Sequence, residues 1–491
     1  MCLVNGGFTG IDIGLDPVFT FVLDFFIAIC LFFSLSGPGL TVNSVFVSSP
    51  QHPAQQSLAV DGAISLPVLI DSSPLTAFGA ALDAQEHLWV AVGSPDCKLT
   101  LYRSQTRGTT WEDVLTINLN RPARLIELLA PAVPAPLFIF YLTAENHGDL
   151  YLFRFDAIAQ DTQTIPLAVG PDTVDAFSVT IDRDTNYYIY LLYVNEHRTG
   201  LNGYFTRSLD GGRSWEERQP FWNCFDPEIS FGTGSLLHCV WRYAITGREI
   251  HYAANRYYGA AGRWSGLYIL KSGSERCFNP VVAQVPINPY WRAPVWACWT
   301  VARRDTEMLD LEYALSTDGG HVWGAVTNLG APFVDEWFPG LSTATGSAEL
   351  CYNAGARTEN GPTVLYWRNS RSYAPQLWST PARVNAPRLN VQVEGARPRL
   401  VALYRDKPSF PALFFSLYEP TGARGIYFAP VLPVSESNQL QRLTVLSPAP
   451  QPLHDLFDVT GRRVNPATPQ KRSGVYFQQS GATLKKIVKL R

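Results

Sequence analysis

From about residue 58 to residue 436 the chain alternates short apolar runs with turn residues, and apolar positions recur with period two inside the runs. Residues 175–216 show the pattern: DAFSVTID, NYYIYLLYV, GYFTRSL and the segment after Trp215 read as four successive strands. Beyond the N-terminal leader, no helical periodicity runs longer than about ten residues. Seven stretches share one phase: TAFGAALD, RPARLIEL, DAFSVTID, DPEISFGT, NPVVAQVP, FPGLSTAT and RPRLVALY. They begin at Thr76, Arg121, Asp175, Asp226, Asn279, Phe338 and Arg397, in steps of 45, 54, 51, 53, 59 and 59 residues. Four strands per roughly 53-residue unit, repeated at a fixed period, predict an all-β chain folded as a β-propeller. Seven blades is the count, with six as the alternative if the Thr76 or Arg397 copy only completes another blade. SLAVDGAISLPVLI (57–70) is the strand expected to close the ring.

A second repeat marks every other copy. SQTRGTTW (104–111), SLDGGRSW (208–215) and STDGGHVW (316–323) match one another at steps of 104 and 108 residues, each about two units. An Asp at the third position can accept backbone N–H bonds in a tight hairpin, a Gly supplies positive φ, and a Trp can bury a large face between strands. These residue types predict scaffold: Ser104, Gly108 and Trp111; Ser208, Asp210, Gly212 and Trp215; Ser316, Asp318, Gly320 and Trp323. The string resembles the Asp-box, or bacterial-neuraminidase repeat, Ser-x-Asp-x-Gly-x-Thr/Ser-Trp. Thr106 replaces the Asp in the first copy, and Val322 replaces the hydroxyl in the third. The resemblance covers about 60–435 and implies a sialidase-like propeller.

Both ends differ from the repeats. Residues 17–35 are almost unbroken apolar, which reads as a signal peptide or membrane anchor (1–40), or failing both a buried helix, followed by a linker (41–57). Against export, no Lys precedes Lys98, no Arg precedes Arg103, and Asp24 interrupts the run. After the propeller (58–436) comes a linker (437–452), then a basic segment (453–491) with eight Lys/Arg against two Asp. It reads as three short strands with turns at Thr460-Gly461 and Ser480-Gly481. Leu456, Phe457, Asp458, Val459, Gly461 and Arg462, then Gly474-Val-Tyr-Phe477 and Lys485-Lys-Ile-Val-Lys489, resemble the C-terminal sorting domain of type IX secretion substrates. That resemblance implies delivery to the cell surface through the type IX machinery.

Composition narrows the function. With 46% hydrophobic and 16% charged residues and a net charge of −3, the chain is neither disordered nor a nucleic-acid binder. No Gly-x-Ser-x-Gly, P-loop or His-Glu-x-x-His string occurs, the eight His are scattered, and no Cys/His metal spacing appears; no metal or cofactor is expected. Cys224 and Cys277 share one phase, and Cys239, Cys298 and Cys351 another. Equivalent positions on neighbouring blades are too far apart to bridge, so no Cys224–Cys277 disulfide is expected. The starts of the innermost strands line a propeller's central mouth, which makes Arg121, Asp175, Asp226, Asn279 and Arg397 the candidate binding residues; as an alternative, these groups only bond adjacent blades together. The catalytic residues are unknown. The sialidase resemblance implies an arginine clamp, but its Phe/Tyr-Arg-Ile-Pro string is missing. Arg121-Pro122 and Arg397-Pro398 echo it in part, and Arg242, Arg292 and Arg368, with Tyr243 and Glu249, remain as clamp candidates. Trp- and Tyr-rich strings (FWNC, PYWRAPVWACW, EWFPG) suit either sugar stacking or inter-blade packing. The expectation is an exported or surface propeller that binds a glycan or a surface protein without catalysis; the alternative is a sialidase-type glycosidase with a diverged clamp.

Overall fold

A computed structural model describes residues 62–433 apart from short connecting stretches, the longest being 286–292, 356–362, 385–395 and 402–410, together with four strands of the C-terminal segment. The leader, both linkers and Arg292 lie outside the described residues. Seven antiparallel sheets follow one another in chain order, each meandering outward from an inner strand. The inner strands are Ala77–Leu82, Ala123–Leu129, Val174–Ile181, Cys224–Phe231, Arg276–Gln284, Asp335–Ala344 and Arg399–Val401, which define blades 1 to 7. The chain is thus an all-β, seven-bladed propeller; six blades are excluded. Blade 7 takes its outermost strand from the other end of the chain. Gly62–Ile64 and Val68–Leu75 both pair with Gly422–Pro433, with Gly62 opposite Pro433 and Leu75 opposite Ala423.

Packing explains the apolar strands. Side chains alternate between the two faces of a strand, and here both faces meet a neighbouring sheet. In the second strand of blade 2, Leu137–Thr143, every residue is buried. Leu137, Ile139 and Tyr141 join the cluster shared with blade 1, while Phe138, Phe140 and Leu142 join the one shared with blade 3. Seven such clusters exist, one per interface, and the last sets Phe78 and Val90 of blade 1 against Phe414 and Phe428 of blade 7. Trp296 and Trp299 of the aromatic-rich strings lie in inter-blade clusters, and Trp337 is buried as well, so none of the three presents a sugar platform.

The three Ser-to-Trp turns join the third and fourth strands of blades 1, 3 and 5. Ser208 Oγ accepts the Gly212 amide (2.8 Å), and Asp210 Oδ1 accepts the amides of Arg213 and Ser214 (3.0 and 2.9 Å). Ser316 and Asp318 repeat these bonds. In blade 1, Thr106 Oγ1 takes the place of the carboxylate, accepting the Thr110 amide at 2.8 Å. Each Trp then packs edge-on against the preceding blade: Trp111 on Phe428, Trp215 on Phe140 and Trp323 on Tyr252, with ring centroids 5.8, 6.3 and 4.7 Å apart. Gly320 has φ +84°, and a Cβ there would lie 2.0 Å from Tyr252 Oη. The same device recurs unrecognised in blade 4. Asn255 Oδ1 accepts the amides of Tyr257 and Gly259, and Trp264 packs on Phe205 of blade 3 at 4.9 Å. A longer turn and an Asn in place of Ser hid it in the sequence.

The six described cysteines are free. Cys298 and Cys351 face Val281 and Gly340 across their ladders, at one register position. Cys239 corrects the expected phase. It pairs with Ile229, whereas Val240 pairs with Glu228 at the position matching Val281. A one-residue shift turns a side chain to the opposite face, so Cys239 joins the cluster with blade 3 and Cys298 the one with blade 6. In the C-terminal segment, the first expected strand is a hairpin, Leu456–Asp458 with Arg463–Val464, giving a four-stranded sheet with Gly474–Ser480 and Thr483–Lys489.

Truncating Trp215 to Ala empties half an inter-blade contact and is expected to cost about 3–5 kcal/mol; Asp210→Ala is expected to cost about 1–3 kcal/mol. Partial burial of Asp210 opposes ionisation, but the bonds from Ser214, Ser208 and Arg213 outweigh it and hold the carboxyl at about 2, below its ordinary 3.8. The carboxylate's contribution is therefore complete above about pH 4 and fades as pH falls toward 2. Thermal melts of both variants between pH 2 and 7 check this: the Asp210→Ala deficit should shrink at the acid end, and the Trp215→Ala deficit should not.

Candidate functional site

The inner strands enclose a cavity of about 210 Å³ that all seven blades line. A smaller space of about 110 Å³ adjoins it, sharing Thr180, Ser230, Leu341 and Ser342 with the first and reaching Ile181, Gly232 and Thr343. The axial space therefore runs from the starts of the inner strands toward their ends. Because strands in a blade alternate in direction, the third-to-fourth turns lie at the far end. The Trp turns and the mouth are on opposite faces of the ring.

Repeated bulges shape the mouth. In blades 4, 5 and 6 the inner ladder skips at Phe225/Glu228, Phe278/Val281 and Trp337/Gly340. The skipped residues are Asp226-Pro227, Asn279-Pro280 and Phe338-Pro339, and Asp226, Asn279 and Phe338 have φ of 46°, 46° and 51°. A bulge leaves residues without ladder partners; proline has no N–H to leave unpaired, which suits it to the second position. Left-handed backbone at a non-glycine residue is costly, yet three blades share it, and the kink brings Asp226 and Asn279 to the cavity.

Of the five candidate residues, Asp226, Asn279 and Arg397 line the cavity, and Arg121 and Asp175 do not. The ladders give the reason. Blades 2 and 3 skip a single residue, Arg124 and Asp175, without the Pro kink. Arg124 instead reaches across to blade 3, donating to the carbonyls of Val174 and Asp175. Asp226 accepts from Arg242 Nε at 3.1 Å, and that guanidinium lies over the rings of Phe225 (4.1 Å) and Phe278 (5.6 Å), tying blades 4 and 5 at the rim. Among the described residues, no hydrogen bond or ion pair engages the side chain of Arg397 or Asn279.

Deeper in the same cavity are charges that the repeat phase alone did not single out: Glu127 of blade 2, Glu228 of blade 4 and Arg399 of blade 7. Glu127 Oε1 is 2.6 Å from Arg399 Nη2. Glu228 Oε2 accepts from Ser178 Oγ at 3.2 Å. Burial, and then the neighbouring Glu127 charge, push the Glu228 carboxyl up to about 7; Arg399, Arg397 and Ser178 offset this only in part. A signal existed: Glu127 and Glu228 are carboxylates inside inner strands of a low-charge chain, each strand carrying one other charged residue, Arg124 or Asp226.

The clamp candidates do not converge. Among the described residues the cavity lining holds two arginines, Arg397 and Arg399, and no tyrosine. Arg368 is buried in blade 6, donating to the carbonyls of Ser379 and Leu329. Tyr243 stacks on His251, whose Nε2 is 2.8 Å from Glu249 Oε2; neither Tyr243 nor Glu249 lines the cavity. No group of three or more His, Cys, Asp or Glu side chains among the described residues could hold a metal ion. Among these residues, too, no helix is long and apolar enough to cross a membrane.

The chain matches no family model and no curated protein. Its similar solved structures include the BP39L lectin from Burkholderia pseudomallei (12% identity, 73% of this chain and 96% of the lectin, TM-score 0.49). A second is the Aleuria aurantia lectin in complex with Fucα1-6GlcNAc (12%, 64% and 98%, 0.42). A third is the α-L-arabinofuranosidase Arb93A from Fusarium graminearum (13%, 55% and 95%, 0.34). At this degree of likeness no ligand or activity transfers to the present chain.

The raised carboxyl of Glu228 has a signature in stability. A folded-state value near 7, against 4.5 for a free glutamate, means the neutral form's contribution is complete below about pH 4.5 and is lost as pH rises through 7. Glu336 and Glu349 in blade 6 are likewise raised to about 7, so the comparison must be with a variant. Glu228→Gln is expected to melt with the parent near pH 4 and above it at pH 8; thermal melts across that range check this.

Proposed function

We propose that the protein is an exported propeller that binds a glycan, the terminal sugar sitting in the mouth of the axial cavity. The observation that carries the reading is the pairing of a space of about 210 Å³ with two polar side chains at its lining, Arg397 and Asn279, that no hydrogen bond or ion pair engages among the described residues. Specific sites typically combine a concave space with a few convergent polar groups. A guanidinium, an amide and the Asp226 carboxylate together offer donors and acceptors in fixed planes, which matches a ring carrying several hydroxyls. The size argues against a protein ligand as the main partner, since a stable protein interface takes about 800 Å² from each side, far more than this mouth offers.

We read the Ser-to-Trp turns as Asp-boxes, and their bonds and Trp packing support a sialidase-like scaffold. The unassembled arginine clamp speaks against sialidase chemistry. Export and surface display are read from the C-terminal segment, whose strands pair with one another and whose sequence resembles a type IX sorting domain.

Arg397→Ala and Asn279→Ala are expected to lower glycan-array signals about tenfold or more, the scale of one or two lost hydrogen bonds, while melting close to the parent. Trp215→Ala should do the reverse. If Trp215→Ala melts like the parent yet loses the glycan signal, the site is on the other face. Deleting 453–491 should leave the propeller's melting transition in place and abolish surface delivery in a type IX-secreting host; normal delivery of the truncated chain would refute the sorting role.

A further inference from the structure

We propose that the outer edge of blade 4 is a homodimer interface, on which the fourth strand of one copy pairs with the same strand of a second copy, antiparallel across a twofold axis. All seven blades end in a strand whose outer side has no ladder partner among the described residues. Such an edge offers its N–H and C=O groups to any other strand, and proteins ordinarily block it with proline, with charge or by keeping it short. Six of the blades do so. Blade 1 carries Glu112, blade 2 Pro166, blade 3 Pro220, blade 6 Pro375 and blade 7 Pro74, while blade 5 ends in a two-residue strand. Blade 4 does not. Its fourth strand, Tyr268–Lys271, has no proline, and its single charge is turned away from the edge. Lys271 Nζ is 3.1 Å from Glu275 and 3.0 Å from Glu312 of blade 5, with its side chain only 14% exposed.

The edge is apolar as well as open. Its ladder to the third strand skips Leu270, which turns into the cluster shared with blade 5. Before that skip come Leu267, Tyr268 and Ile269, three consecutive residues that are 56%, 39% and 55% exposed. Gly266 and Gly273 bracket them, and a Cβ at either would meet no atom within 4 Å, so nothing overhangs the two ends. Apolar surface continues on both sides. Tyr257, in the turn that leads to this strand, is exposed beside the Arg263 guanidinium, 5.1 Å from its ring. Val322 of blade 5 is exposed too, and its neighbour Trp323 packs on Tyr252, whose ring is 6.2 Å from that of Tyr268. Five of the ten large apolar side chains exposed among the described residues thus gather at one place on the rim. An even scatter would leave about one or two per blade; a gathering of this kind marks an interaction surface.

Charge, geometry and area point to a second copy as the occupant. From Trp264 to Ser274 the only charge is the inward-turned Lys271, so an identical edge approaches without repulsion. Two identical edges related by a twofold axis complete each other's hydrogen bonds only when they run antiparallel, the pairing an isologous dimer takes. The five side chains together expose roughly 500 Å² per copy, and the exposed stretch at 261–266 beside them brings the face close to the ~800 Å² that each side of a stable interface buries. A dimer formed this way carries two mouths, so a glycan-bearing surface is held at two points. The pairing itself needs no glycan, and its measurement is independent of what the mouth binds.

Sedimentation velocity of the full chain, with no glycan present, tests the pairing. The parent should pass from monomer to dimer, and no further, as its concentration rises through about 1–100 µM. Ile269→Lys and Leu267→Glu should each raise the dissociation constant about tenfold or more, because each puts like charges into the paired edge. Both positions are exposed, so both variants should melt with the parent. Ile158→Lys, at an exposed apolar position of blade 2, should dimerise as the parent does. The proposal is overturned by a parent that is still monomeric at about 100 µM. It is equally overturned by edge variants that associate as tightly as the parent, the result if another surface or the apolar N-terminal run held the copies together. An Ile158→Lys variant weakened as much as the edge variants, or a ladder of ever larger assemblies, which a head-to-tail contact gives, also overturns it.

Discussion

Every blade buries both of its faces, and it can do so only between two neighbours. A single four-stranded sheet with the composition of Leu137–Thr143 would expose one wholly apolar face to water. Seven sheets around an axis leave two such faces, one at each end of the row, and joining them removes both. The closure at blade 7 follows from this requirement. Gly62–Ile64 and Val68–Leu75 supply its outer strand, so the two ends of the propeller are hydrogen-bonded together, and Phe414 and Phe428 meet Phe78 and Val90 across the seam.

The Trp-bearing turns are a second consequence of that packing. Inter-blade space widens away from the axis, where flat sheets diverge, and something large must fill it. Trp111, Trp215 and Trp323 each turn back from an outer hairpin onto an aromatic side chain of the preceding blade. The Ser and Asp bonds hold the turn in the one conformation that aims the ring there. Where blade 4 has Asn255 and Trp264 instead, the bonds are the same in kind.

At the axis the constraint reverses. The inner strands have neighbours on both sides and a narrow space in front, so polar groups there are half-buried and must find partners close by. Glu127 and Arg399 pair, Asp226 and Arg242 pair, and Glu228 has a hydroxyl. Arg397 and Asn279 stand outside this set of hydrogen bonds and ion pairs. Opposite ends of one ring thus serve separate purposes: turns that hold blades together at one face, and a charged mouth at the other.

Period and composition alone determined the architecture: apolar runs of period two in a unit of about 53 residues can bury themselves only by radial stacking. The residue types of the Trp turns likewise announced their scaffold role, because a turn is a local structure whose bonds reach at most four residues. The site was legible only in part. The repeat phase pointed to the mouth, and Asp226, Asn279 and Arg397 are there, while Arg121 and Asp175 are not, because blades 2 and 3 bulge by one residue without proline. A bulge changes which residues face the axis, and no repeat alignment carries that information; Cys239 is misplaced for a different reason, since blades 4, 5 and 6 share one bulge and its strand is offset by one residue along that common register. Nor could the sequence bring Glu127, Glu228 and Arg399 together, since they belong to blades 2, 4 and 7. Only closure of the ring puts such distant strands around one space, and only burial in that space raises the carboxyl of Glu228.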